Sequence, residues 1–136
     1  MDGRFRVLVI DDDPSVRRTT AAVLEDEGYV VDTAENVKEA IEKSNADPYR
    51  VALIDFRLPD MNGTQLLATL KETTPNIVEI MVTGYPTVQN AIECVNKHAD
   101  AFFVKPVDYE NLLNTIRNLI QKQQKPKNNK KNKNNK

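Results

Sequence analysis

The sequence predicts an α/β fold in which a parallel sheet carries helices on both faces, and three features predict it. Five short apolar runs rich in β-branched residues recur along the chain, segments of helical period separate them, and strand and helix alternate five times. At 136 residues, 40% apolar and 29% charged, the chain fits one globular domain with a real core and is too short for two.

The strands are expected at Val7 to Ile10, Tyr29 to Ala34, Val51 to Ile54, Ile77 to Val82 and Ala101 to Val104. The first helix opens with Asp13 and Pro14, an N-cap followed by a residue whose fixed φ suits the first helical position. It places Val16, Thr20, Val23 and Leu24 on one face up to Gly28. A second helix is expected near Val37 to Asn45. A third runs from Gly63 to Thr73 with Leu66, Leu67 and Leu70 inward, after a Pro59 to Gly63 turn in which Asp60 is given no catalytic role. The fourth begins after Pro86, reaches about His98 and is expected to bury Val88, Ala91, Ile92 and Val95. The fifth follows Asp108, a second N-cap, with Leu112, Leu113, Ile116, Leu119 and Ile120 as its stripe.

No apolar run approaches the roughly 18 to 20 residues needed to span a bilayer, and Met1 to Arg6 lacks the apolar core of a signal peptide. A cytoplasmic location is expected. The single cysteine, Cys94, has no partner for a disulfide and no His or Cys at metal-ligand spacing, and reads as a helix residue. Residues 122–136 carry seven lysines and no acid, so with a whole-chain charge of −1 the rest sums to −8. That stretch has no apolar residue to bury. Residues 1–121 are therefore read as the domain and 122–136 as a disordered Lys/Asn-rich tail, with weak contact to nucleic acid or a membrane surface as the rival reading.

In a parallel sheet of this kind the C-terminal ends of the strands share one edge, and ligands bind there. The first run ends in Asp11, Asp12 and Asp13, the third in Asp55, the fourth in Thr83 and Gly84, and the fifth in Lys105 and Pro106. Asp13, beside Pro14, reads as a cap. Asp11, Asp12 and Asp55 would crowd three carboxylates, which raises their pKa values or demands a cation. Mg²⁺ fits such a set better than Ca²⁺, which prefers more protein oxygens, and no thiolate or imidazole is present to favour zinc. A carboxylate can attack phosphorus while Mg²⁺, a lysine and a hydroxyl neutralise the equatorial oxygens. Neither a Ser-His-Asp set nor a glycine-rich phosphate loop is present, so the chain supplies a phosphate acceptor rather than a nucleotide site.

At these residues the chain resembles the response-regulator receiver family of two-component signalling. VLVIDDDPSVRR, VALIDFRLPDMNG, IMVTGYP and AFFVKPVD match that family's four signature segments in order and spacing, and the similarity covers about residues 5–121. The resemblance implies a flavodoxin-like doubly wound sheet of five strands, order 2-1-3-4-5, with five helices. It implies Asp55 as phosphoacceptor, a metal held by Asp11, Asp12, Asp55 and the backbone carbonyl of Arg57, and Thr83 and Lys105 as grips on the phosphoryl oxygens. It implies a sensor histidine kinase or phosphotransfer protein as donor and a downstream protein met through the fourth helix, fifth strand and fifth helix, with a phosphorylation-dependent dimer as one form of output. No specific nucleic-acid or membrane partner is expected. No enzyme activity is expected beyond the chain's own phosphorylation and dephosphorylation.

The chain departs from the family pattern in places. Phe102 stands where the family usually has a switch tyrosine, so coupling through it would rest on packing. His98 stands where glycine is common after the fourth helix; a left-handed conformation there would cost about 1 kcal/mol. A cis bond is frequent in the family at the position of Lys105 and Pro106. Arg57 and Tyr85, two residues beyond the phosphoacceptor and the threonine, flank the approach of water and are expected to tune dephosphorylation. Since no effector domain follows, a stand-alone regulator is expected, with a fragment of a larger regulator or hybrid kinase as the alternative. Two other classes fit less well: a haloacid-dehalogenase-like phosphatase would have a second Asp where Arg57 stands, and a flavodoxin would meet three aspartates where FMN phosphate must bind.

Overall fold

The computed structural model describes residues 5–124. The elements alternate as expected: β1 (Arg6–Ile10), α1 (Pro14–Asp26), β2 (Val30–Ala34), α2 (Val37–Ala46), β3 (Val51–Asp55), α3 (Leu66–Thr73, after a short 3₁₀ turn at Gly63–Gln65), β4 (Val78–Thr83), α4 (Val88–Asn96), β5 (Ala101–Val104) and α5 (Tyr109–Gln124). The strands form one sheet in the order β2-β1-β3-β4-β5, parallel at every pairing, which is the flavodoxin-like order.

Side-chain alternation divides the core. Leu8, Ile10, Ala52, Ile54 and Met81 face Val37 and Ala40 of α2, Leu66, Leu67 and Leu70 of α3, and Cys94 of α4. Val7, Val9, Val51, Leu53, Ile80 and Val82 face Leu24 of α1 and Leu112, Ile116 and Ile120 of α5. The helix ends are held by the residue types that the sequence offers. Asp13 accepts from the backbone N–H of Ser15 at 2.9 Å and of Val16 at 3.3 Å, and Gly28, at φ +99°, closes the far end of α1 in a conformation that disfavours side chains. Asn36 caps α2 through Glu39 N at 2.8 Å. Asp60 reaches over from the loop after β3 to accept from Val37 N at 3.0 Å and Lys38 N at 3.1 Å. Its pKa is held down chiefly by the Val37 hydrogen bond, and Asp60 ties the loop after β3 to the first turn of α2.

Two expectations need correction. The apolar stripe of α4 is not buried: Val88 is 77% exposed, Ile92 52% and Val95 71%, and Ala91 is half-buried. Cys94 is the residue that α4 inserts into the core, at 1% exposure. The helix lies rotated from the expected orientation because Cys94 and the Glu93 bond to Thr64 turn the other side to the sheet. The second correction concerns α5, which continues to Gln124, three residues past the expected boundary. Gln123 is held there by Arg50, whose Nε donates to its Oε1 at 3.1 Å, and by its own Nε2 donating to Asn76 O at 2.7 Å. The rest of the proposed tail lies outside the described residues.

Candidate functional site

The register of the central strands assembles the site. Ile10 pairs with Ile54, so one step further along each strand sets Asp11, just past β1, beside Asp55, the last residue of β3. Asp12 follows, exposed at the rim. The three carboxylates offer one oxygen each within 4.8 Å of one another, a spacing that suits one hard divalent ion. Asp11 and Asp55 are buried, at 5% and 6% exposure, whereas Asp12 opens to the cleft.

Lys105, at the end of β5, projects across the rim. Its Nζ lies 2.9 Å from Asp11 Oδ2 and 3.5 Å from Asp55 Oδ2. Burial opposes its charge, but the hydrogen bond to Asp11 and the fields of Asp55 and Asp11 outweigh that, and its pKa is raised. Asp55 is pushed above the usual carboxylate range by burial first and then by Asp11, with Lys105 pulling the other way. Uncompensated negative charge thus remains at the rim, which is the electrostatic reason for a cation there.

The loops are positioned by backbone contacts. Asp11 Oδ1 accepts from Asp13 N at 2.9 Å, and Arg17 Nη1 donates to Asp11 O at 2.8 Å, fixing the turn that presents Asp11 and Asp12. Lys105 N donates to Thr83 O at 2.7 Å, locking the ends of β4 and β5 together, and the following Lys105-Pro106 bond is cis. Gly63 packs against the end of β3 so closely that a Cβ there would sit 2.1 Å from Asp55 O and 2.7 Å from Ile54 Cγ2. Only glycine fits at that approach.

Of the residues singled out in the sequence, Asp11, Asp12, Asp55 and Lys105 converge. Thr83 ends β4 nearby, fully buried, with its hydroxyl accepting from Tyr85 N at 2.9 Å. Arg57 and Tyr85 flank the cleft as a stacked pair, the guanidinium carbon 4.2 Å from the ring centroid. Phe102 is half-buried on β5, packed against the core shared with Cys94. His98 adopts φ +69°, the left-handed conformation that glycine would occupy more cheaply. The Arg17 bond to the Asp11 carbonyl, the close approach of Gly63 to Asp55 and the reach of Asp60 to α2 escaped the sequence reading. Only the glycine carried a signal, as the residue that closes the turn after Pro59.

The response regulator receiver domain, as a family, matches residues 7–117. This chain belongs to that family. Its domain is thus the receiver module of two-component signalling, built on the fold and rim described above. The chain is 33% identical over 110 residues to the transcriptional regulatory protein ZraR of Klebsiella oxytoca, covering 81% of this chain and 25% of that protein. Among solved structures it is similar to a CheY-like receiver domain protein of Methanospirillum hungatei JF-1, with 37% identity, a TM-score of 0.84, and 89% of this chain and 97% of that chain covered. It is also similar to a response regulator of Burkholderia pseudomallei with a phosphorylated aspartic acid, calcium ion and citrate, with 31% identity, a TM-score of 0.79, and coverage of 88% and 71%. The chain spans 25% of ZraR and 55% of the acid tolerance regulatory protein ActR of Rhizobium meliloti, so those relatives are longer than this receiver. No helix among the described residues is long and apolar enough to cross a membrane.

Proposed function

We propose that this receiver takes a phosphoryl group onto Asp55 in a Mg²⁺-dependent reaction, from the phosphohistidine of a sensor kinase or phosphotransfer protein or from a small phosphodonor. The observation that carries this is the clustering of Asp11, Asp12 and Asp55 within 4.8 Å, with Lys105 bonded across it. Asp11, Asp12, Asp55 and the carbonyl of Arg57 would hold the ion. When bound, Mg²⁺ supplies positive charge to the phosphoryl oxygens. A carboxylate oxygen of Asp55 attacks phosphorus, and the bond to the donor's nitrogen or oxygen breaks with its electron pair leaving on the donor. Lys105 faces the transferred oxygens, and the Thr83 hydroxyl, now engaged by Tyr85 N, becomes their hydrogen-bond donor.

The output surface is α4, β5 and α5, where a downstream protein binds. The outward apolar face of α4 supports that reading, since exposed contiguous apolar residues mark interaction sites. The signal is long-lived: the stacked Arg57 and Tyr85 cover the approach of water, and neither offers a carboxylate or amide to activate it. Intact-mass spectrometry with a small phosphodonor tests the chemistry: one phosphoryl group is added in the presence of Mg²⁺, and none to Asp55→Asn. Equal modification of that variant would remove Asp55 from its role. After donor removal, the native phosphoprotein decays more slowly than the Arg57→Asn, Tyr85→Glu double variant. A native decay as fast or faster would end the shielding argument.

A further inference from the structure

On the face of β4 opposite its contacts with α1 and α5, and at the other end of the strand from Thr83, a carboxylate sits where an apolar residue is expected. Glu79 is fully buried on this central strand. Its Oε1 accepts from Lys71 Nζ of α3 at 2.6 Å, while its Oε2 has no partner among the described residues and no solvent exposure. Half of a charge is thereby left unsolvated, an arrangement that needs a reason.

The surroundings supply one. The turn between α4 and β5 is built around Glu79: Asp100 N donates to Glu79 O at 2.8 Å, and Glu79 N donates to Asp100 Oδ2 at 2.8 Å. Lys71 Nζ also reaches His98 O at 3.4 Å, at the residue whose φ of +69° reverses the chain after α4. The charged groups that face Glu79 are therefore Lys71 from α3 and Asp100 from the turn; the partner residue on β3 is Ala52, and His98 contributes its carbonyl.

We propose that Lys71, Glu79 and the His98 carbonyl form a proton-operated clasp on the C-terminal end of α4, closed while Glu79 is ionised and released when Glu79 takes up one proton. Without the carboxylate charge, Lys71 loses its close partner, leaves the longer contact to the His98 carbonyl and turns to solvent, where a third of its side chain already lies. The turn that carries α4 into β5 then loses its tether to α3. Burial, opposed by Lys71 and assisted by Asp100, lifts Glu79 to about 7, so the clasp works near neutrality. It acts without phosphate and is separable from the chemistry at Asp55.

The test is an NMR titration of the unphosphorylated chain across neutrality, following glutamate carboxyl carbons and backbone amides. It is run in the His98→Asn background, which removes the neighbouring imidazole and keeps a residue tolerant of positive φ. Glu79 is expected to titrate near neutrality, apart from the other glutamates, and the amides of residues 98–100 to shift with the same midpoint. Glu79→Gln flattens the amide titration. Lys71→Met, at a site about a third exposed, removes the cation beside Glu79 and moves the Glu79 midpoint to higher pH. It also leaves the turn amides, at alkaline pH, where the unsubstituted clasp has them in acid. Amides that ignore the Glu79 titration, a Glu79 midpoint among the surface glutamates, or a midpoint unmoved by Lys71→Met would each overturn the proposal.

Discussion

Helices α3 and α4 cover the same face of the same sheet and carry apolar residues at the same helical spacing, yet they use them in opposite ways. Leu66, Leu67 and Leu70 of α3 are 0 to 1% exposed, whereas Val88, Ile92 and Val95 of α4 point outward and Cys94 alone is sunk in the core. What fixes α4 is mostly polar: Thr64 Oγ1 donates to Glu93 Oε2 at 2.8 Å, Asn90 Nδ2 donates to Tyr85 O at 2.8 Å, and Lys71 reaches the turn beyond it. One helix is a wall and the other is held by a few replaceable ties. The function proposed above uses both, a rigid side to keep three carboxylates in place and a loose side to move when charge is added.

The largest effect that can break this contrast is Leu67→Ala in α3, expected to cost about 2–5 kcal/mol by transfer and cavity formation, read by chemical denaturation. Gly63→Ala comes next, since its Cβ would collide with the Asp55 carbonyl. Overpacking of about 1–3 kcal/mol is expected, with slowed phosphorylation of what folds.

The pH dependence of stability sharpens the comparison from the α4 side. Glu79 has a folded pKa of about 7, against roughly 4.3 unfolded. The folded state therefore binds more protons between those values, and stability is greatest below the lower one and falls as pH rises through the upper. The loss amounts to at most about 4 kcal/mol, and Glu79→Gln is expected to flatten that part of the curve. A slope unchanged by the substitution would assign it to other groups.

Smaller effects belong to α4 itself. Thr64→Val removes one hydrogen bond and is expected to cost about 1 kcal/mol. It should also speed hydrogen exchange in α4 while leaving α3 protected. Ile92→Ala, on the outward face, is expected to change stability by no more than about 0.5 kcal/mol. A cost comparable with that of Leu67→Ala would show that α4 packs like α3 and would erase the distinction.

The sequence made the strands, the caps at Asp13 and Asp108, and the carboxylate cluster legible because each depends on neighbours along the chain or on the rule that parallel strands end together. Periodicity shows that α4 has an apolar face but not whether the fold covers it, since that depends on which side the Glu93 bond to Thr64, 29 residues apart, turns to the sheet. The same holds for Asp60, whose capping of α2 spans 23 residues, and for Glu79, a lone acid in an apolar run whose partner lies on another helix. Contacts of long separation were what the sequence kept hidden.

The central claim is that charge added at Asp55 moves the α4 side and spares the α3 side. Amide NMR of the chain with Mg²⁺ and beryllium fluoride tests it most directly. The account predicts shifts from Thr83 through α4 to Val107, with α2 and α3 largely unmoved. Shifts confined to the residues around Asp11, Asp12 and Asp55, or as large in α3 as in α4, would contradict it.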